Sequence, residues 1–104
     1  MPQYYKMYIN GQWVDSASGQ TFESLNPATE EALAVLQKGN AADVEKAVDA
    51  AESALGKWSG VPAPKRGEIL LKAAQLLKEN KERLARLVTT EMGKVLAEAR
   101  GDVQ

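Results

Sequence analysis

The sequence contains no cysteine and no histidine. The first absence excludes disulfides, thiolate metal ligands and a cysteine nucleophile; the second excludes imidazole ligands and the side chain best suited to proton transfer near neutral pH. A catalytic site would have to be built from Ser, Lys, Asp, Glu or Tyr, each needing a partner group to shift its pKa. Charge of one sign is missing too: 13 Lys and Arg oppose 14 Asp and Glu, for a net charge of -1. Without a basic field, neither nucleic acid nor an anionic membrane surface is an expected partner. No apolar run approaches the roughly 18 residues of a membrane span. The N-terminal Met1-Pro2-Gln3-Tyr4-Tyr5-Lys6 also lacks the basic-then-apolar order of a secretory signal. A cytoplasmic protein is expected.

What is present is ordinary for a globular chain. The 104 residues are 44% hydrophobic and 26% charged, with both signs interleaved, enough for one domain with a modest core. The periodicity changes near residue 40. Tyr4 to Ile9 (YYKMYI) reads as a strand, Asn10-Gly11 follows, and Gln12-Trp13-Val14 resumes, which predicts a hairpin closed by a two-residue type I′ turn. Asp15 to Gln20 is a loop by its Ser, Gly and Asp content. Thr21 to Leu25 alternates as a short strand, and Asn26-Pro27 ends it because proline cannot donate to a ladder. Glu31 to Gln37 (EALAVLQ) is ambiguous in composition; its short length and flanking turns favour a strand.

Asn40 reads as an N-cap with Asp43 at N3, a capping-box variant that also puts negative charge at the positive end of a helix. Val44, Ala47, Val48, Ala51, Leu55 and Trp58 then draw one apolar stripe. Ser59 to Pro64 breaks it; Ile69, Leu70, Ala73, Leu76 and Leu77 carry a second stripe to Asn80, and Leu84, Leu87 and Val88 a third to Gly93. A kink or break is expected at Glu79-Asn80-Lys81, since Asn serves both as a stop and as an N-cap. Leu96 to Val103 has helical composition apart from Gly101. The fold class is therefore α+β, with a hairpin and short strands in residues 1–39 and antiparallel amphipathic helices in residues 40–104.

Gly93-Lys94 invites a phosphate-binding reading. A P-loop needs a glycine five residues earlier, a Ser or Thr next, and a strand before it, whereas Val88, Val95 and a helix stand there. Helix punctuation, with Gly93 left-handed and Lys94 complementing the dipole, fits better. Glu79, Glu82 and Glu91 are interleaved with Lys78, Lys81, Arg83 and Arg86, so they read as a solvated face rather than paired acid-base carboxylates. Trp13 and Trp58 fall where the apolar pattern predicts core or interface, and Lys65-Arg66 is too small a basic spot for nucleic acid.

The order of the landmarks is more specific than any one of them. MYINGQWVDSASGQTFESLNPATEE, then ADVEKAVDAAESALGKWS, KRGEILLKAAQLLKENKERLARLVTTEMGK and LAEARGDVQ together resemble the N-terminal portion of the NAD(P)-dependent aldehyde dehydrogenase superfamily. The resemblance runs from about Met7 to Gln104 and makes the chain an α+β fragment of that family's α/β fold, one partial domain. It implies a homo-oligomeric enzyme four to five times as long, oxidising an aldehyde through a cysteine thiohemiacetal and passing hydride to NAD or NADP. The dinucleotide-binding glycines, the catalytic cysteine and the glutamate base of that family lie beyond the matched segment. No catalytic or cofactor-binding residue is therefore expected here, and no cofactor for this chain alone. Many members also hold a structural monovalent cation on backbone carbonyls and an acid, which by position implies Ser24, Leu25 and Asp102.

The leading expectation is an N-terminal piece of an aldehyde dehydrogenase, cut before the groups its chemistry needs, with the remainder of the enzyme or a second copy as partner. The alternative is a free-standing helical interaction module of the same ancestry. A small independent enzyme or nucleic-acid binder ranks third. The aldehyde, and the choice between NAD and NADP, have no signal in these residues.

Overall fold

The computed structural model describes residues 2–104. Five short strands precede four helices: β1 (Gln3–Tyr5), β2 (Met7–Ile9), β3 (Gln12–Val14), β4 (Thr21–Leu25), β5 (Ala32–Gln37), α1 (Ala41–Ser59), α2 (Ala63–Glu79), α3 (Lys81–Met92) and α4 (Leu96–Val103). β2 and β3 pair antiparallel with Ile9 opposite Gln12, leaving Asn10 and Gly11 as the two-residue turn. Both turn residues have positive φ, 54° and 74°, as a type I′ turn requires. A second sheet has the order β1-β5-β4, with β5 parallel to β1 and antiparallel to β4.

The run Tyr4 to Ile9 is therefore not one strand. It divides at Lys6, and its first half leaves the hairpin to pair with β5, Gln3 opposite Ala34. Pairing across that sequence separation is tertiary, and local composition carries no trace of it.

Strands give way to helices at residue 40, but the chain's two compact units are cut differently. One comprises the chain up to Leu25 together with Ala32–Gly60; the other comprises Asn26–Glu31 and Val61–Gln104. In the first, α1 joins the strands. Ala34 and Val35 on the central strand β5 are its buried apolar residues. The N-terminus of α1 holds the capping box: the Asp43 amide donates to Asn40 Oδ1 at 3.2 Å, and the Asn40 amide donates to Asp43 Oδ2 at 3.0 Å. Asp43 Oδ1 also accepts from the Ala17 amide at 2.9 Å, which ties the Asp15–Gln20 loop to the helix. Ser16 in that loop is buried, its amide donating to Gln37 Oε1 and its hydroxyl to the Gln20 carbonyl.

In the second unit, α3 and α4 pack on each other, and Ala85 and Ala99 are its fully buried residues. Side chains this small let the helices approach closely, as ridge-into-groove packing needs at a contact. Asn80 separates α2 from α3: its amide and its Nδ2 both donate to the Leu76 carbonyl, ending α2. It also occupies the N-cap position of α3, where its carbonyl accepts the Leu84 amide at 3.0 Å but its side chain makes no cap. Pro64 sits in the first turn of α2, where no amide donor is needed.

Few large side chains are covered. Among the described residues no large side chain is fully buried, and Trp13, expected in a core or interface, is 66% exposed and tilted against Tyr8 with ring centroids 4.8 Å apart. Trp58 is exposed as well.

Asp43 is 4% exposed and satisfies three roles at once: cap acceptor, helix-end charge and loop anchor. Replacing it by Ala strands two amide donors, each costing about 1 kcal/mol or more. Asp43→Ala is expected to destabilise the chain by about 2 to 3 kcal/mol, with Asp43→Asn retaining part of that, as read from urea midpoints.

Candidate functional site

A groove of the first unit with a volume of about 430 Å³ lies between the hairpin and α1, lined by Ile9, Gln12, Val14, Asp15, Lys46 and Asp49 among others. Asp43 also reaches it, but its oxygens are committed to the Asn40 and Ala17 amides. Asp15 is engaged by Lys6 at 3.7 Å. Among the described residues no group of three or more His, Cys, Asp or Glu is arranged to hold a metal ion. Asp43, whose oxygens are spent on backbone amides, is a structural group of this groove.

Ser24 and Leu25 end β4, and the register shifts between them: Ser24 faces Ala34, while Leu25 faces Ala32. Such an irregularity releases a carbonyl from regular pairing. Asp102 sits in α4, and its Oδ2 accepts a hydrogen bond from the Lys94 ammonium. Gly93, as the sequence predicts, ends α3 in the left-handed region at φ 77°, its amide donating to the Thr89 carbonyl at 2.8 Å. The Lys94 that follows acts on a neighbouring helix, not on the dipole of α3 alone.

The loop Asn26–Glu31 belongs to this same unit. Its Asn26 side chain accepts from the Ala28 amide at 2.9 Å, an Asx turn, and the Glu30 amide donates to the Asn26 carbonyl at 2.7 Å. Glu30 is held at φ 63°, a conformation its residue type does not announce. A Cβ placed on Gly93 would lie 3.3 Å from Pro27 Cγ, so the Asn-Pro turn and the Gly-Lys break, far apart in sequence, are neighbours in space.

Glu82 does more than decorate a solvated face. It pairs with Arg86 one turn on at 3.1 Å, as its spacing suggests, and receives Arg100 of α4 in a two-pronged contact at 2.8 and 2.9 Å. The Arg100 hydrogen bond is the main cause holding the Glu82 carboxyl below its ordinary value, and it raises Arg100 in turn. Lys94 is raised, first by the hydrogen bond to Asp102 and then by its charge and that of Glu98. The Glu82–Arg100 contact fastens α4 to α3, and the Lys94–Asp102 contact fastens α4 to the turn after Gly93. Helical spacing could not have found either, because the first crosses the break at Gly93 and the second starts outside a helix.

With this geometry on the page, comparison with known proteins is direct. Residues 13–104 match the model of the aldehyde dehydrogenase family. Malonate-semialdehyde dehydrogenase 1 of Shouchella clausii (strain KSM-K16) is 50% identical over 99 residues, covering 95% of this chain and 20% of that protein. A solved structure of 3,6-anhydro-L-galactose dehydrogenase in complex with NAP superposes with a TM-score of 0.92 at 42% identity, over 96% of this chain and 21% of that one. An NAD-dependent aldehyde dehydrogenase from Sinorhizobium meliloti gives 0.90 at 34% identity, over 99% and 21%. The chain belongs to the aldehyde dehydrogenase family and corresponds to an N-terminal segment of it. It spans about a fifth of the length of the relatives it matches.

The two fastenings have opposite pH limits. Glu82 is depressed when folded, so its contribution is present above the ordinary carboxylate pKa of 4.5 and is lost as pH falls through the lower folded value. Lys94 is raised, so its contribution is present below the ordinary 10.5 and is lost as pH rises through the higher folded value. Amide exchange of α4, corrected for intrinsic rates, is expected to be slowest between these limits, and Glu82→Gln should remove the acid-side dependence.

Proposed function

We propose that the intact protein oxidises an aldehyde to a carboxylic acid with NAD or NADP, and that the present segment contributes structure and no catalytic group. The observation that carries this is likeness to dehydrogenases of semialdehydes and sugar aldehydes along nearly the whole chain. The cofactor would be held by polypeptide outside residues 1–104, and it supplies the hydride acceptor when bound. Relatives that use NAP and relatives that use NAD are both represented, which leaves the two cofactors equal for this protein. A cytoplasmic, homo-oligomeric enzyme completes the reading. The purified 104-residue chain, mixed with NAD or NADP and a panel of aldehydes, is expected to yield no absorbance from reduced cofactor. Turnover that survives repurification would overturn the assignment of catalysis elsewhere. A second reading, a free-standing helical interaction module, draws on the exposed apolar helices. An open frame after codon 104 that encodes a glycine-rich turn and a cysteine decides for the enzyme.

The structural cation is part of the same proposal. The carbonyls of Ser24 and Leu25 have the oxygen chemistry an alkali ion takes, but Asp102 is already neutralised by Lys94. Within its own unit, the Asp102 carboxylate is held by the Lys94 ammonium. Thermal midpoints in potassium, sodium and choline chloride at equal ionic strength are expected to coincide for the natural chain, and Lys94→Met should introduce a dependence on the alkali ion.

A further inference from the structure

Asparagine stands at positions 10, 26, 40 and 80, and three of these side chains are kept from reacting with the chain by their surroundings. Asn26 is followed by Pro27, which has no amide to attack a side chain, and its Oδ1 accepts from the Ala28 amide at 2.9 Å. Asn40 Oδ1 accepts from the Asp43 amide at 3.2 Å in the capping box of α1. Asn80 Nδ2 donates to the Leu76 carbonyl at 2.9 Å, and its Oδ1 accepts from Arg83. Asn10 differs on each point. It is exposed, its carboxamide has no hydrogen-bond partner among the described residues, and the next residue is Gly11, whose nitrogen has no neighbouring Cβ to hinder it.

The hairpin restrains this pair. With Asn10 at φ 54° and Gly11 at φ 74° in a type I′ turn, the Gly11 nitrogen is turned away from the Asn10 side chain, and bringing the two together requires ψ of Asn10 to leave the left-handed region. Little holds the turn closed: three residue pairs join β2 to β3, with Tyr8 tilted against Trp13 across them at 4.8 Å. Two strands of that length are marginal in water, so the turn opens without the rest of the chain unfolding.

We propose that Asn10 is a site of spontaneous modification, converted to aspartate and isoaspartate at a rate set by opening of the β2–β3 hairpin. The Gly11 nitrogen forms a bond to Asn10 Cγ, the Cγ–Nδ2 bond breaks, and ammonia leaves with the proton that the amide gives up. Water then opens the succinimide. Cleavage of the new N–Cγ bond restores the original backbone as aspartate; cleavage between the Gly11 nitrogen and the Asn10 carbonyl carbon leaves isoaspartate, whose main chain runs through Cβ and Cγ. Water is the one co-reactant. Either product puts a carboxylate on the groove that Asn10 lines together with Asp15, Lys46 and Asp49. Isoaspartate also lengthens the backbone between Ile9 and Gln12, which a two-residue turn has no room for.

The natural chain, Asn10→Gly and Trp13→Ala are incubated in mildly alkaline buffer, beside the natural chain in urea. Fragment-ion mass spectrometry of tryptic peptides locates each amide-to-acid change, and a protein-isoaspartate carboxyl methyltransferase with a labelled methyl donor measures isoaspartate. Asn10 is expected to convert ahead of Asn26, Asn40 and Asn80, and Asn10→Gly, whose residue type suits the same turn, should lose most of the methyl label. Removing the Tyr8–Trp13 contact with Trp13→Ala should speed conversion roughly two- to tenfold. Urea should speed it by about tenfold or more. Conversion led by another asparagine, or methyl label undiminished in Asn10→Gly, overturns the site. A Trp13→Ala rate equal to the natural one overturns control by the hairpin, and so does a natural chain that converts as fast when folded as in urea.

Discussion

An amphipathic helix is worth having in water only when something covers its apolar stripe, and the stripes of this chain are largely open. Each Leu or Ile side chain moved from water into a packed interior contributes roughly 1.5 to 3 kcal/mol. Here Val44, Val48 and Leu55 on α1, with the leucines of α2, stay exposed, while the buried apolar residues are mostly alanines. What order the chain has must then come from contacts that need little apolar area: a capping box, the Glu82–Arg100 pair between α3 and α4, and two alanines at a close crossing. Each is local or narrow. The structure depends on them because the broad hydrophobic term is only partly collected.

That imbalance explains which features were legible in the sequence. The Asn10-Gly11 turn, the cap at Asn40 with Asp43, the stop at Asn80 and the left-handed Gly93 are set by backbone chemistry within a few residues, and all appear where the residue types put them. The α+β fragment and its family were legible for the same reason, since its landmarks are local motifs in a fixed order. Properties that depend on distant partners were not. The division of YYKMYI at Lys6 follows from β5, some thirty positions away. The exposure of Trp13 follows from what does not lie over it. An apolar residue in a sequence states a preference for cover, not the presence of it.

The candidate chemistry divides along the same line. Reading Gly93-Lys94 as punctuation needed only the neighbouring residues, but the partner of Lys94 needed the fold. Asp102 is likewise an unremarkable acid near a glycine until Lys94 is seen on it. Glu82 and Arg100 lie on separate helices, and their meeting depends on the turn that Gly93 makes between them. One left-handed glycine thus lets the Glu82–Arg100 fastening form, and its close approach to Pro27 sets the Asn-Pro turn beside the same corner.

The parallel pairing of β1 with β5 has a kinetic consequence. Antiparallel β4 and β5 are joined by the short loop Asn26–Glu31, so they can meet early in folding. β1 must wait for a loop of about thirty residues to close, at an entropic cost of roughly 3 kcal/mol by the logarithmic scaling of loop closure. With three residues to pair, it recovers little of that cost from hydrogen bonds alone. The sheet therefore grows outward from β5, and its first strand in sequence is the last to be added and the first to be lost.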